Sequence, residues 1–192
     1  MEQTATQKMA RVLRVMAIAV FVCNIIALFF VPGLAIMKGL SELNELTPYE
    51  TPLELPARLL TLFVLCWSPT YWTFAEDPYA AVLAVFLLFC GGCTAVILWQ
   101  GKRVLDTVLK GNPFVIDNAK NLKRAAVCCF LISGAALVRL VWGFVCSQSI
   151  VPLLTYNALF VPMFLMGGLL FMVMSALFRQ AAELKAENDL TI

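Results

Sequence analysis

The sequence predicts an all-α integral membrane protein. The expected fold is a four-helix bundle with both termini on the cytoplasmic side and an outer loop carrying an interfacial hairpin or amphipathic segment. Three observations lead there. Of 192 residues, 61% are hydrophobic and only 14% charged, whereas a soluble domain runs about 45–50% apolar and about 25% charged. Four stretches each supply the run of about 20 apolar residues needed to cross about 30 Å of hydrocarbon. Basic residues cluster outside those stretches, and mostly on one side. The same composition excludes a disordered chain, a nucleic-acid binder carried by a basic surface (the formal charge is only +2) and a disulfide-stapled mini-protein. There is no histidine, which removes the usual general base and the commonest metal ligand.

The elements follow in order within a single domain, residues 1–192. The first span covers about Val12 to Ile36. Its apolar run is too long for the core of a cleaved signal peptide, and Val31-Pro32-Gly33 is expected to bend or end it. An outer loop, 37–77, is acidic, with Glu42, Glu45, Glu50, Glu54, Glu76 and Asp77. Within it, Leu59 to Phe74 is apolar but short for a span and interrupted by Ser68-Pro69. Its Trp67, Tyr71 and Trp72 suit the outer membrane interface. The second span covers Pro78 to Gln100, a cytoplasmic loop 101–124, the third span Ala125 to Cys146, and the fourth span Leu153 to Phe178. Pro162 is expected to break the fourth span. A cytoplasmic tail, 179–192, completes the chain. The spans must be helices, because each has to satisfy its own backbone hydrogen bonds in lipid.

The orientation rests on Lys and Arg. Lys8, Arg11 and Arg14 precede the first span. Lys102, Arg103, Lys110, Lys120, Lys123 and Arg124 lie between the second and third, and Arg179 and Lys185 follow the fourth. Only Lys38 and Arg58 fall on the other side. This asymmetry predicts that both termini and the 101–124 segment face the cytoplasm.

Chemistry-bearing residues are few. Arg139 is the one charge well inside a span, which by default suggests a functional role. It also lies near enough to the outer end to snorkel or to form an ion pair with Glu76 or Asp77. Asn24 and Asn157, with Thr94, Ser133 and Ser175, are expected to hydrogen-bond between helices. Gly91-Gly92, Gly134 and Gly167-Gly168 would let helices approach closely. Cys90-Gly91-Gly92-Cys93 has the spacing that four-span thiol–quinone oxidoreductases use, but it sits mid-helix in apolar surroundings, where Cys ordinarily serves as a small apolar residue. The sequence contains no nucleophile–base pair, phosphate loop or paired intramembrane carboxylates. Neither an enzyme nor a cofactor is expected.

The most patterned sequence lies on the cytoplasmic side. Gly111-Asn112-Pro113-Phe114 reads as a turn in which Asn112 caps a helix and Pro113 takes its first position. That helix would run through Asp117, Lys120, Lys123 and Arg124 into the third span. An ordinary basic anchor on anionic lipid would give the same charges. The tail carries Glu183, Glu187 and Asp189 among the apolar Leu190 and Ile192, anchors for a partner or for this protein's own basic segment.

These two segments resemble a bacterial family of four-span membrane proteins of unknown function. The match is carried by Gly111, Pro113, Phe114, Asn118, Leu122, Lys123 and Arg124, and by the ending Glu183 to Ile192, Glu-Leu-Lys-x-Glu-x-Asp-Leu-Thr-Ile. The resemblance extends over most of the chain. It implies a multi-pass protein of the bacterial cytoplasmic membrane, encoded beside a small helix-turn-helix regulator. The expected function is then membrane-anchored regulation: the protein binds or sequesters that regulator and does not itself contact nucleic acid. The partner surface would comprise Pro113, Phe114, Lys120, Lys123, Arg124, Glu183, Glu187, Asp189, Leu190 and Ile192, the acids attracting a basic DNA-binding face. The alternatives are a small transporter or channel, which at four spans would require a homo-oligomer, and more remotely a thiol–quinone oxidoreductase.

Overall fold

A computed structural model describes residues 5–35, 78–147 and 156–190. These form four helices: α1 (Ala5–Ala35), α2 (Pro78–Leu109), α3 (Ile116–Ser147) and α4 (Tyr156–Leu190), with no strand among the described residues. Each is long and apolar enough to cross a membrane, so the protein is all-α with four candidate spans, as expected. The 59–74 segment, Glu76, Asp77 and Ile192 lie outside the described residues, as do the side chains of Asn157, Asp189 and Leu190.

The helices outrun the spans read from the sequence. They hold 31, 32, 32 and 35 residues, or about 47–52 Å at 1.5 Å per residue. Hydrocarbon needs only about 30 Å. The 101–124 segment is therefore mostly helix rather than loop. α2 continues to Leu109 and α3 begins at Ile116, which leaves a connection of a few residues. Helix-forming Lys, Arg and Leu carry each helix past its apolar stretch.

One further expectation is corrected. Pro162 lies inside α4 without ending it. In lipid a proline need not end a helix, because no water is there to take up the broken backbone; beside it, Ser133 Oγ of α3 adds a bond to the carbonyl of Val161 at 2.9 Å. α1 ends at Ala35, two residues past Gly33, in keeping with the expected end near Val31-Pro32-Gly33.

The chain divides into two compact units, Met1–Cys23 with Gly92–Ile192, and Asn24–Gly91. In the first, α3 and α4 pack along each other, and their contacts give the register. Ser133 meets Val161, Ala119 accepts from Ser175 Oγ at 2.7 Å, and Phe114, just before α3, meets Phe178. As the position falls along α3 it rises along α4, so the helices are antiparallel. Between the two hydroxyl contacts both helices advance by the same step of about 21 Å. α1 and α2 behave alike. Phe21 and Trp99 have ring centroids 5.8 Å apart, and one heptad away Arg14 Nε lies 2.7 Å from Asp106 Oδ1.

The core is built from small side chains. Ala119, Ala125, Ala126, Cys129, Ile132, Ser133 and Ala136 form the buried stripe of α3, and Gly168 of α4 faces Phe130 so closely that an added Cβ would lie 2.8 Å from the ring. Large apolar residues such as Val15, Val138, Met166 and Leu170 point outward. That inversion suits lipid, where close approach of small residues replaces the hydrophobic effect as the force between helices. In the second unit, Asn24 Nδ2 donates to the Gly91 carbonyl at 3.4 Å, and Leu28 covers the glycine.

Candidate functional site

The densest set of specific polar contacts surrounds the connection between α2 and α3. α2 ends in a Schellman motif. Gly111 takes φ +76°, its N–H donates to the carbonyl of Val108 at 3.1 Å, and the N–H of Asn112 donates to that of Thr107 at 3.2 Å. Two carbonyls that the helix end would otherwise orphan are thereby satisfied. Glycine is needed because a Cβ disfavours the left-handed region.

Asn112 is therefore not the cap of the next helix. Its N–H closes α2, and its side-chain oxygen accepts from Lys185 Nζ of α4 at 2.7 Å. Pro113 is not the first helical residue either. Its carbonyl accepts from the N–H of Val115 at 3.1 Å and from Asn118 Nδ2 at 2.7 Å, and α3 starts only at Ile116.

Asn118 fastens the turn. It is fully buried, and its amide donates to Pro113 and to Thr107 Oγ1, whose own hydroxyl donates to the Val104 carbonyl at 2.7 Å. One side chain thus ties the start of α3 to the end of α2. The two amide bonds offset the cost of burying so polar a group, although its side-chain oxygen is buried with no partner among the described residues.

α4 closes over the same turn. Phe178 packs against Phe114 with centroids 5.9 Å apart, Ser175 holds Ala119, and Lys185 holds Asn112. Of the tail residues read as partner contacts, Glu183 pairs with Arg179 at 2.8 Å on the exposed face of α4, and Glu187 is exposed one turn on. Leu184, absent from the sequence-based set, is the most exposed large apolar side chain among the described residues of this segment, at 66%.

The basic residues occupy another face. Lys120 pairs with Asp117 at 3.2 Å, and with Lys123 and Arg124 it lines an open groove. Phe114 and the tail therefore join in one block, while Lys120, Lys123 and Arg124 line the groove. Arg14, counted from sequence only as a topology charge, meets Asp106. The approach is too oblique for a hydrogen bond, which makes the contact an ion pair.

The intramembrane residues scatter. Arg139 is half-buried in α3, and its expected partners Glu76 and Asp77 lie outside the described residues. Asn24 bonds to Gly91, and Asn157 belongs to α4. Cys93 of α2 and Cys128 of α3 are both free thiols and partly buried.

Sequence alone offered no route to Asn118 as the fastener, because its partners come from two elements. The signal available was its place in the Gly111-x-Pro113-Phe114 motif. A family model described as "Protein of unknown function (DUF2975)" matches residues 35–192. The match starts at the last residue of α1 and contains the whole turn, α3 and α4. No curated protein and no solved structure matches the chain.

Proposed function

The chain belongs to this family of unknown function, and from that premise we propose that it is a membrane-anchored regulatory protein whose turn and α4 extension hold a small cytoplasmic helix-turn-helix regulator. The side bearing the turn is the basic side, which the positive-inside rule assigns to the cytoplasm.

One observation supports this reading best. α2, α3 and α4 continue past their apolar stretches and are bound into a single block by Asn118, Phe178 and Lys185. A mere topology anchor needs no such construction. The block leaves Leu184 exposed between Glu183 and Glu187, an apolar anchor rimmed by acids. That is the complement of a basic DNA-binding surface. Occupying that surface would keep the regulator from its operator.

The test is affinity capture of the full-length chain from solubilised membranes that also contain the neighbouring regulator. The expected result is co-purification with the native chain and loss with Leu184→Asp, which leaves Lys185 and its contact with Asn112 in place. Equal capture by both chains overturns the role given to α4.

A further inference from the structure

The groove beside the turn has a polarity of its own. Lys120, Lys123, Arg124, Val127 and Cys128 of α3 face Val96 of α2 across a volume of about 460 Å3. That is within the range of about 300–1,000 Å3 typical of small-molecule sites. On α3 these residues follow the i, i+3, i+4, i+7 spacing of a single helical face. Three cations occupy its first turns and apolar side chains continue it, about 10 Å further on at Val127. Among the described residues no acidic side chain lines the groove, and Asp117, which pairs with Lys120, is not part of its lining.

We propose that this groove is a binding site for one anionic phospholipid of the surrounding membrane. Lys123 and Arg124, with Lys120, hold its phosphate, and Val96, Val127 and Cys128 carry the first part of an acyl chain. The argument is charge complementarity joined to position. A guanidinium and two ammonium groups form charge-assisted hydrogen bonds with phosphate oxygens. The apolar end lies along the stretch of α3 that enters hydrocarbon. A free phosphate would use the cations and leave Val96 and Val127 without a role. A protein ligand would have no reason to follow the groove into the membrane. A basic pocket between transmembrane helices at the anionic leaflet is a setting in which lipid headgroups bind specifically rather than diffusely.

The full-length chain, purified in neutral detergent, is titrated with short-chain phosphatidylglycerol, and bound lipid is counted by native mass spectrometry. The native chain is expected to retain one lipid. Lys123→Gln with Arg124→Gln should weaken retention about tenfold or more, since each cation near an anionic surface is worth about a fivefold effect. Val127→Trp, at an exposed position, fills the apolar end with every charge intact and should weaken it several-fold. Lys8→Gln with Arg11→Gln removes as much charge at the start of α1, outside the groove, and should change retention less than twofold. Three results would each overturn the proposal: equal loss with the α1 pair, equal binding of phosphatidylcholine, or full retention by Val127→Trp. Inorganic phosphate at millimolar concentration should not displace the lipid; displacement would assign the site to free anions instead. If the Lys123/Arg124 variant fails to fold, the Val127 variant and the phosphatidylcholine comparison decide.

Discussion

Asn118, buried at the start of α3, donates its amide to the carbonyl of Pro113 at 2.7 Å and so fixes the turn that brings α3 back along α2. The same amide reaches the Thr107 hydroxyl on α2.

Asn118→Ala should therefore cost about 1–3 kcal/mol, because the partly buried Thr107 hydroxyl and Pro113 carbonyl both lose the Asn118 amide, the carbonyl keeping only the Val115 N–H. Asn118→Asp should cost more, since a carboxylate would face two acceptors. Thermal unfolding in detergent, followed by helical circular dichroism, measures both. A midpoint within 1–2 °C of the native one would contradict the fastening role.

At Gly111 the cost is conformational alone, because nothing lies within 4 Å of an added Cβ. Gly111→Ala should cost about 1–2 kcal/mol for the left-handed backbone. Gly111→Asn should cost less and Gly111→Val more, because asparagine tolerates that region and β-branching does not. The order Asn, Ala, Val in falling stability is the readout.

Adjacent glycines of α4 should respond oppositely. Gly168→Ala drives a methyl into the Phe130 ring and should destabilise by about 1–3 kcal/mol. At Gly167 nothing lies within 4 Å of the added methyl. Alanine there should be neutral or stabilising by up to about 1 kcal/mol, from helix propensity alone. Equal effects at the two sites would mean that α4 is rotated about its axis relative to α3.

Arg14 and Asp106 should couple weakly. Arg14→Gln, Asp106→Asn and the double variant form a cycle whose interaction is expected at about 0.5–1 kcal/mol, shrinking as salt rises. The measurement is the unfolding midpoint at low and high ionic strength. No coupling at low salt would dissociate α1 from α2 at this point.

Much of the architecture was legible because lipid demands long uninterrupted apolar runs, and four such runs are evident in the sequence. The position of the α2–α3 turn was legible too, through Gly111 and Pro113. Its interior was not. Asn112 looks like a cap in one dimension, but its N–H is consumed by the end of α2 and its side chain by Lys185, a residue 73 positions away. The paired glycines illustrate the same gap. Gly91 and Gly168 meet neighbours while Gly92 and Gly167 face open space, and only the rotation of each helix separates them. Pro162 misled for a different reason. The rule that proline ends helices is drawn largely from water, and in an apolar setting a helix has nothing better to become.

The tie between Thr107 and Asn118 spans only 11 positions, and that has a consequence for biosynthesis. Loops of about this length close in about 10–100 ns, whereas a ribosome adds only about 5–20 residues per second. The two ends of the turn can therefore meet as soon as Asn118 has emerged, before α4 is made. α2 and α3 are thus equipped to travel as a preformed pair. α4 arrives last and closes over a turn that is already set.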